Sequence, residues 1–462
     1  MPQPNIIFIL IDDLGWRDLG CCGSTFYETP HLDRLASEGV RFTDAYAACP
    51  VCSPTRASIL TGKYPARVGL TNYLYGMERG RVICHDYVDH LPLAETSLAS
   101  TLRDAGYQTW HVGKWHLGKE PYWPEKHGFD VNVGGCDWGL PRNGYFSPWK
   151  NPRLVDGPDG EYLPDRLTTE AIRLIRERVD RPFFLNLWYY LVHIPVQAKP
   201  ELRRKYEAKA AELGLDRKNP FEYGEYFPCE HKKHKQIVRR LFQSDPGYAA
   251  MVESLDENIG RLLAALDAEG LADDTVVIFT SDNGGLATAE GSPTSNAPLC
   301  EGKGWMFEGG TREPLIVRRP GVTRPGTLCH VPVTSPDFYP TLLEIAGREL
   351  MPAQHVDGVS FASLLGGADR LEREAIYWHY PHYGNQGGTP GGSVRSGDFK
   401  LIEFFEDRHV ELYNLREDLG EEHDLAHERP DVVNELRPML HAWLKEVDAK
   451  IPRADPGWNP RS

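Results

Sequence analysis

No stretch of this 462-residue chain stays apolar for the length that a membrane span needs. The run Ile6–Ile11 is short and ends at Asp12-Asp13, and the Met1-Pro2-Gln3-Pro4 before it carries no basic side chain. That start does not read as a secretory leader, so the expected location is the cytoplasm, a leader trimmed away being the alternative. Positive charge is scarce: 51 Lys and Arg face 66 Asp and Glu, a formal net charge of −15. A field of that sign argues against nucleic acid and acidic membranes as partners, while a small anion can still be held in a local basic pocket. The nine cysteines are odd in number and scattered, a pattern of reduced thiols rather than of a disulfide framework. Repeats at solenoid or propeller periods are absent as well.

What remains is the composition of a globular enzyme, 41% hydrophobic and 25% charged, long enough for one large domain and a smaller one. Apolar runs alternate with amphipathic stretches, which predicts an α/β fold with a mixed, mainly parallel sheet flanked by helices. "NIIFILIDD", "YQTWHVGKWH", "RPFFLNLWYYLVHIP", "DTVVIFTSDNGG" and "REPLIVRRPG" read as strands, the first four ending near Asp12-Asp13, Lys114, His193 and Asp282-Asn283. "HLDRLASEGV" after Pro30 and "SLASTLRDAG" stopping at Gly106 read as helices. Met251, Leu255, Ile259, Leu262 and Leu266 recur at helical spacing, which is a core-facing stripe. From about Gly347 the texture shifts to short meander strands and a helix over Pro430–Val447. The expected division is residues 1–365 as the large domain and 366–462 as a smaller α+β domain with an antiparallel sheet.

Several stretches carry chemistry. Ligands of open α/β sheets bind beyond the carboxyl ends of the strands, so the Asp, Lys, His and Asn residues at four strand ends converge on one pocket. Asp12 and Asp13, with Asp282 and Asn283, offer oxygen ligands to a hard divalent cation, although an Asp-Asp pair by itself is more often a solvated turn. Lys114 and His116, two apart in an extended segment, face one side. "CPVCSPTRAS" holds two cysteines. Cys49 and Cys52 form a C-x-x-C pair, which alone suggests redox or zinc chemistry. Alternatively Cys52 heads a helix, with Pro54 in its first turn, Ser53 as its N-cap and Arg56 as a fork for oxyanions. His193 follows an apolar run and Lys303 sits in a glycine-rich loop; each alone also reads as ordinary packing or a solvated lysine.

Cys52, Pro54, Arg56, Thr61 and Gly62 match in full the signature C-x-P-x-R-x-x-x-x-T-G. The chain thereby resembles the type I, formylglycine-dependent sulfatases of the alkaline phosphatase-like superfamily. Gly113-Lys114-Trp115-His116-Leu117-Gly118, His193 with Pro195, Asp282-Asn283-Gly284-Gly285, and Gly302-Lys303-Gly304 with Glu308-Gly309-Gly310, Arg312 and Pro314 extend the resemblance along most of the chain. Trp305-Met306-Phe307 departs from the Thr-rich string usual there, which leaves the path of that loop open.

The resemblance implies a specific chemistry. A maturation enzyme, formylglycine-generating or anaerobic, oxidises Cys52 to an aldehyde. One hydroxyl of its hydrate attacks sulfur, and proton loss from the other re-forms the aldehyde and expels sulfate. The resemblance assigns one Ca2+, or Mg2+, to Asp12, Asp13, Asp282, Asn283 and the modified Cys52. It assigns Arg56, Lys114 and Lys303 to the nucleophile and sulfate, His116 to the proton that releases sulfate, and His193 to sulfate binding and the leaving oxygen. Asn283, where dizinc phosphatases carry His, disfavours a two-zinc phosphatase.

The segment starting at Trp138 is similar to one in bacterial carbohydrate sulfatases. The expected substrate is therefore a sulfated mono- or oligosaccharide of galactose or N-acetylgalactosamine type, with Tyr380, His382, Tyr383 and Arg395 as candidate sugar contacts. Alternatives are an aryl or steroid sulfatase, a phosphate or phosphonate ester hydrolase, and a binding protein that keeps Cys52 as a thiol.

Overall fold

The computed structural model describes residues 3–76 and 79–458. Its centre is a nine-stranded sheet. The strands are β1 (Asn5–Ile11), β2 (Val40–Tyr46), β3 (Gln108–Gly113), β4 (Val131–Val133), β5 (Phe183–Trp188), β6 (Thr275–Ser281), β7 (Arg312–Arg318), β8 (Thr327–Cys329) and β9 (Val333–Thr334). They run in the order β8-β2-β7-β6-β1-β5-β3-β4, with β9 also on β2. Every pairing is parallel except those of β7, which runs antiparallel to β2 and β6.

The apolar runs are continuous because both faces of the sheet are covered. Along β1, Ile7, Ile9 and Ile11 pack into one cluster and Ile6, Phe8 and Leu10 into another on the opposite face. The first cluster takes up α1 (Pro30–Glu38), α4 (Leu163–Arg176), α5 (Pro200–Glu212) and α6 (Pro246–Ala268); the second takes up α2 (Cys52–Thr61), α3 (Leu98–Asp104) and α7 (Phe338–Ile345). The stripe from Met251 to Leu266 is fully buried, and α6 is capped by Asp245, whose carboxylate accepts from the amides of Gly247 and Tyr248. Ser97 caps α3, and Gly106 follows it with φ +96°. A left-handed residue there suits a glycine.

Two local expectations are corrected. Ser53 is not the N-cap of α2: that position is Val51, with no side-chain cap, and the Ser53 hydroxyl donates instead to the carbonyl of His116 at 2.9 Å. The strand expected to reach His193 stops at Trp188. The chain beyond it stays buried as a loop whose backbone still bonds to the end of β1, from Asp12 N to Leu191 O and from Val192 N to Asp12 O.

A second, four-stranded antiparallel meander comprises β10 (Ile376–Tyr380), β11 (Gly391–Ser396), β12 (Phe399–Phe404) and β13 (Val410–Asn414), backed by α8 (Pro430–Glu446). Its other face packs on the large sheet's surroundings through a cluster of Tyr46, Cys49, Val51, Met306, Trp378, Tyr380 and Ile402. Buried ion pairs cross this junction, from Lys400 to Glu308 at 2.9 Å and from Arg395 to Asp44 at 2.8 Å.

Candidate functional site

The topology explains why residues from 12 to 303 meet. β1, β2, β3 and β6 are parallel, so Asp12-Asp13, the loop leading to α2, Lys114 and Asp282-Asn283 all emerge at one edge of the sheet. β7 runs the other way, so the segment before it, which carries Lys303, arrives at that same edge. Glycines let these pieces close up. A Cβ on Gly284 would lie 1.7 Å from the carbonyl oxygen of Gly309, and one on Gly302 would lie 2.3 Å from that of Gly285. The Gly284 amide donates to the carbonyl of Gly310, and the Lys303 amide to that of Gly285. The two glycine-rich motifs thus bond backbone to backbone and aim Lys303 inward.

Cys52 opens α2, a helix buried along its whole length, so its side chain stands at the positive end of the helix dipole. Its Sγ lies 3.2 Å from Nδ1 of His116. Arg56, one turn on, donates from Nε at 2.8 Å and from a terminal nitrogen at 2.6 Å to the same oxygen of Asp282. The Trp188 ring lies 5.1 Å from this guanidinium. Lys114 Nζ donates to Asp12 at 2.6 Å. Lys303 Nζ contacts both oxygens of Asp13, at 2.7 and 2.8 Å. His193 Nε2 is 3.6 Å from Asp13, while its Nδ1 lies 2.9 Å from the carbonyl of Ile194. That carbonyl can only accept, so Nδ1 carries the proton and Nε2 is the free lone pair of the neutral ring.

Three carboxylates and three cations therefore share one buried volume and balance formally. Burial pushes the Asp12 carboxyl up to about 8, with Lys114 opposing and Asp282 and Asp13 adding to the rise. Asp13 is also penalised by burial, but Lys303, His193 and Lys114 outweigh that and hold it well below the usual carboxylate range. Burial, reinforced by Lys303, lowers His193 to about 3; burial with Lys114 and Arg56 drives His116 well below its ordinary value. The Cys52 thiol is raised by burial against the pull of Lys114 and Lys303, so it is no ready thiolate.

The donor set fits a hard divalent cation. One oxygen, nitrogen or sulfur each from Asp12, Cys52 and Asp282 lie within 4.8 Å of one another, as do those of Asp12, Asp13 and His193. Oδ1 of Asp12 and Oδ1 of Asn283 are buried acceptors without a hydrogen-bond partner, although Asn283 Nδ2 donates to Asp13 at 2.8 Å. Buried acceptors left bare are costly unless a cation or water answers them, and carboxylate and amide oxygens suit Ca2+ or Mg2+.

Every residue proposed for metal and catalysis is thus brought together. The four proposed sugar contacts are buried about the meander, each with a partner inside the protein. Tyr380 donates to Asn72, His382 pairs with Thr71 at 2.8 Å, Tyr383 donates to Glu406, and Arg395 pairs with Asp44 and Tyr46. The Trp305-Met306-Phe307 string has a physical reason: Met306 and Phe307 pack against the second sheet, and the Trp305 indole donates to the carbonyl of Gln386. Sequence reasoning missed the supports beneath the site. The Tyr145 hydroxyl lies 2.6 and 2.8 Å from the carbonyls of Tyr190 and His193, and Asp18 accepts from Tyr248, Thr294, Gln243 and the amide of Gly15. These are single loop or helix positions whose partners lie far along the chain, so no local pattern announces them.

The sulfatase family profile matches residues 4–348, and that of the N-sulphoglucosamine sulphohydrolase C-terminal region matches residues 301–450. A sulfatase of Formosa agariphila is 33% identical over 530 aligned positions, covering 97% of this chain and 90% of that protein. The N-acetylgalactosamine-6-sulfatase of Sus scrofa is 34% identical, covering 82% of this chain and 69% of that protein. Among solved structures, Ps i-CgsB in complex with k-i-k-neocarrahexaose superimposes with a TM-score of 0.75 at 27% identity, covering 96% of this chain and 92% of that one.

Proposed function

The chain belongs to the sulfatase family, and from that premise we propose that this sulfuric ester hydrolase removes sulfate from a sulfated mono- or oligosaccharide of galactose or N-acetylgalactosamine type, with an aldehyde hydrate derived from Cys52 as nucleophile. The observation that carries the reading is the position of Cys52. Its Sγ, which marks where a nucleophilic oxygen would stand, is 3.2 Å from an imidazole nitrogen and beside the carboxylate cluster. The aldehyde hydrate supplies two hydroxyls on one carbon, one to take the sulfuryl group and one whose deprotonation drives release. A thiol has no second hydroxyl, and this thiol is raised rather than activated.

The residues divide the remaining work. Arg56, Lys114 and Lys303 neutralise charge that develops on the sulfuryl oxygens, in a site dry enough for each donor to count. His116, held neutral by burial, accepts the proton from the second hydroxyl, which is carried by the same carbon as the oxygen at the Sγ position. His193 presents a bare Nε2 and takes up a proton when the anionic ester enters beside Lys303; that proton then goes to the leaving sugar oxygen, a poor leaving group without it. Asp12, Asp13, Asp282 and Asn283 would hold one Ca2+, with Mg2+ as the second candidate. Held there, such an ion would supply Lewis-acid polarisation of a sulfate oxygen. The names of the relatives support the carbohydrate class: N-acetylgalactosamine-6-sulfatase at 34% identity, and Ps i-CgsB solved in complex with k-i-k-neocarrahexaose.

The test is mass analysis of the peptide containing residue 52, from protein produced with a maturation enzyme, together with sulfate release from N-acetylgalactosamine 6-sulfate and from an aryl sulfate. The expected result is the aldehyde mass and turnover of the sugar sulfate. Full hydrolase activity from protein with an intact Cys52 thiol would sink the mechanism; turnover of the aryl ester alone would sink the carbohydrate assignment.

A further inference from the structure

The ring of His116 is roofed by a short loop. A Cβ on Gly139 would lie 2.7 Å from both Cε1 and Nε2 of the imidazole, so the loop touches the site directly. Trp138 precedes that glycine and is half-buried. The Arg142 guanidinium lies 5.2 Å from the Trp138 ring and 3.5 Å from Asp137, with about half of its side chain in solvent. Burial pushes the Tyr75 hydroxyl up, with the Asp137 carboxylate adding to the rise and Arg142 opposing it, so this residue of a separate segment is a neighbour of the same loop. The residue is 45% exposed, with Lys119 5.3 Å from the ring centroid. Its φ is +68°, a left-handed conformation that side chains other than glycine and asparagine seldom adopt.

These features are not needed for sulfate. The sulfuryl group is served by Arg56, Lys114 and Lys303, all buried. Trp138 and Arg142 belong to the loop that covers His116, Tyr75 is a neighbour of that loop, and Arg142 and Tyr75 both reach solvent. Trp138 packs in part against the core; the exposed Tyr75 ring and the part of the indole left clear offer apolar area to the C–H face of a pyranose, and a guanidinium fork offers paired donors to ring substituents.

We propose that Tyr75, Trp138 and Arg142 form a subsite for a second sugar ring, the one joined to the sulfated residue. The two aromatic faces stack on that ring and Arg142 donates to its oxygen substituents, so the substrate is an oligosaccharide rather than a monosaccharide. The inference rests on the sulfatase reading and concerns binding only.

Aldehyde-bearing protein is assayed on N-acetylgalactosamine 6-sulfate and on an oligosaccharide ending in the same residue, for the wild type, Trp138→Ala, Arg142→Ala, Arg142→Lys and a control on an exposed loop, Arg370→Ala. The wild type is expected to favour the oligosaccharide about tenfold or more in kcat/KM. Trp138→Ala and Arg142→Ala should lower that preference about tenfold, chiefly through KM, and Arg142→Lys should restore part of it, while Arg370→Ala keeps the wild-type ratio. A wild type with no preference, or variants that lose both substrates in equal proportion, would overturn the subsite. Calorimetry on Cys52→Ala protein gives a second readout that needs no turnover and no rim variant. Equal affinity for the two sugars there also overturns the subsite. If the aldehyde-bearing wild type releases sulfate from neither ester, the catalytic reading fails while the calorimetric comparison still decides the subsite.

Discussion

Nζ of Lys303 bridges the two carboxylate oxygens of Asp13, at 2.7 and 2.8 Å, and so ties the loop before β7 to the end of β1. Lys303→Ala removes one cation from a balanced set of three and leaves Asp13 with less compensation. The expected loss in kcat/KM on a sulfate ester is about 100- to 1,000-fold, the scale for deleting one charge-stabilising donor. Steady-state kinetics on aldehyde-bearing protein decide it, and a loss below tenfold speaks against the role.

Cys49 and Cys52 should separate cleanly. Cys49 is packed in the apolar junction with Tyr46, Val51 and Trp378. Cys49→Ser is expected to cost about 1 to 3 kcal/mol of stability, from burying a hydroxyl in apolar surroundings, and to leave aldehyde formation at residue 52 intact. Cys52→Ala abolishes turnover. Thermal melts and peptide masses of the two variants check this; loss of the aldehyde in Cys49→Ser would revive a joint role for the pair.

Gly284 has no room for a side chain. Its Cβ would fall 1.7 Å from the Gly309 carbonyl oxygen, which belongs to backbone and cannot swing away. Gly284→Ala should destabilise the fold by about 1 to 3 kcal/mol, the cost of forcing a methyl into a packed interior, and should weaken turnover further by displacing Asn283 and Lys303. Denaturant titration and kinetics on the same preparation read both effects.

Chelation tests the oxygen cluster. An ion that binds only the folded chain adds about 2.7 kcal/mol when present at 100 times its Kd. EGTA or EDTA should lower the melting temperature, and Ca2+ should restore it even in Cys52→Ala protein, which needs no catalysis to report. A melting temperature indifferent to both additions would contradict a bound cation.

Asp256 gives a pH dependence away from the site. It accepts the amides of His31 and Leu32 at the start of α1, yet burial raises it to about 6. A carboxyl raised on folding favours the native state in its protonated form, so this contribution is complete below pH 4 and is lost as pH rises to 6. Relative to Asp256→Asn, the wild type should lose on the order of 2 to 3 kcal/mol across that window. Parallel melts of the two proteins at pH 4 and pH 6.5 measure it, and a constant difference would refute the shift.

Much of the site was legible because its residues sit where apolar runs stop. Asp12, Lys114 and Asp282 each follow a strand buried on both faces, and such strands announce themselves as continuous hydrophobic sequence. The same signal misplaced the end of β5. Tyr189 to Val192 are as buried as the strand before them, and burial alone does not separate a strand from a covered loop. Ser53 misled for a related reason: a hydroxyl at a helix start is a cap unless a distant carbonyl, here that of His116, takes it. Gly139, Tyr75 and Arg142 lie in loops without periodicity, and only the folded chain shows that Gly139 touches the His116 ring and that Tyr75 and Arg142 are neighbours of that same loop.

All ten residues of α2 are buried, and Cys52 itself is 3% exposed. A macromolecular modifier cannot close around a side chain so enclosed. Chemistry that turns Cys52 into an aldehyde therefore belongs to the interval between synthesis and folding. Under the proposed aldehyde mechanism the nucleophile is set by a race, because a chain that folds first would lock in an inert thiol beyond the reach of the modifying enzyme.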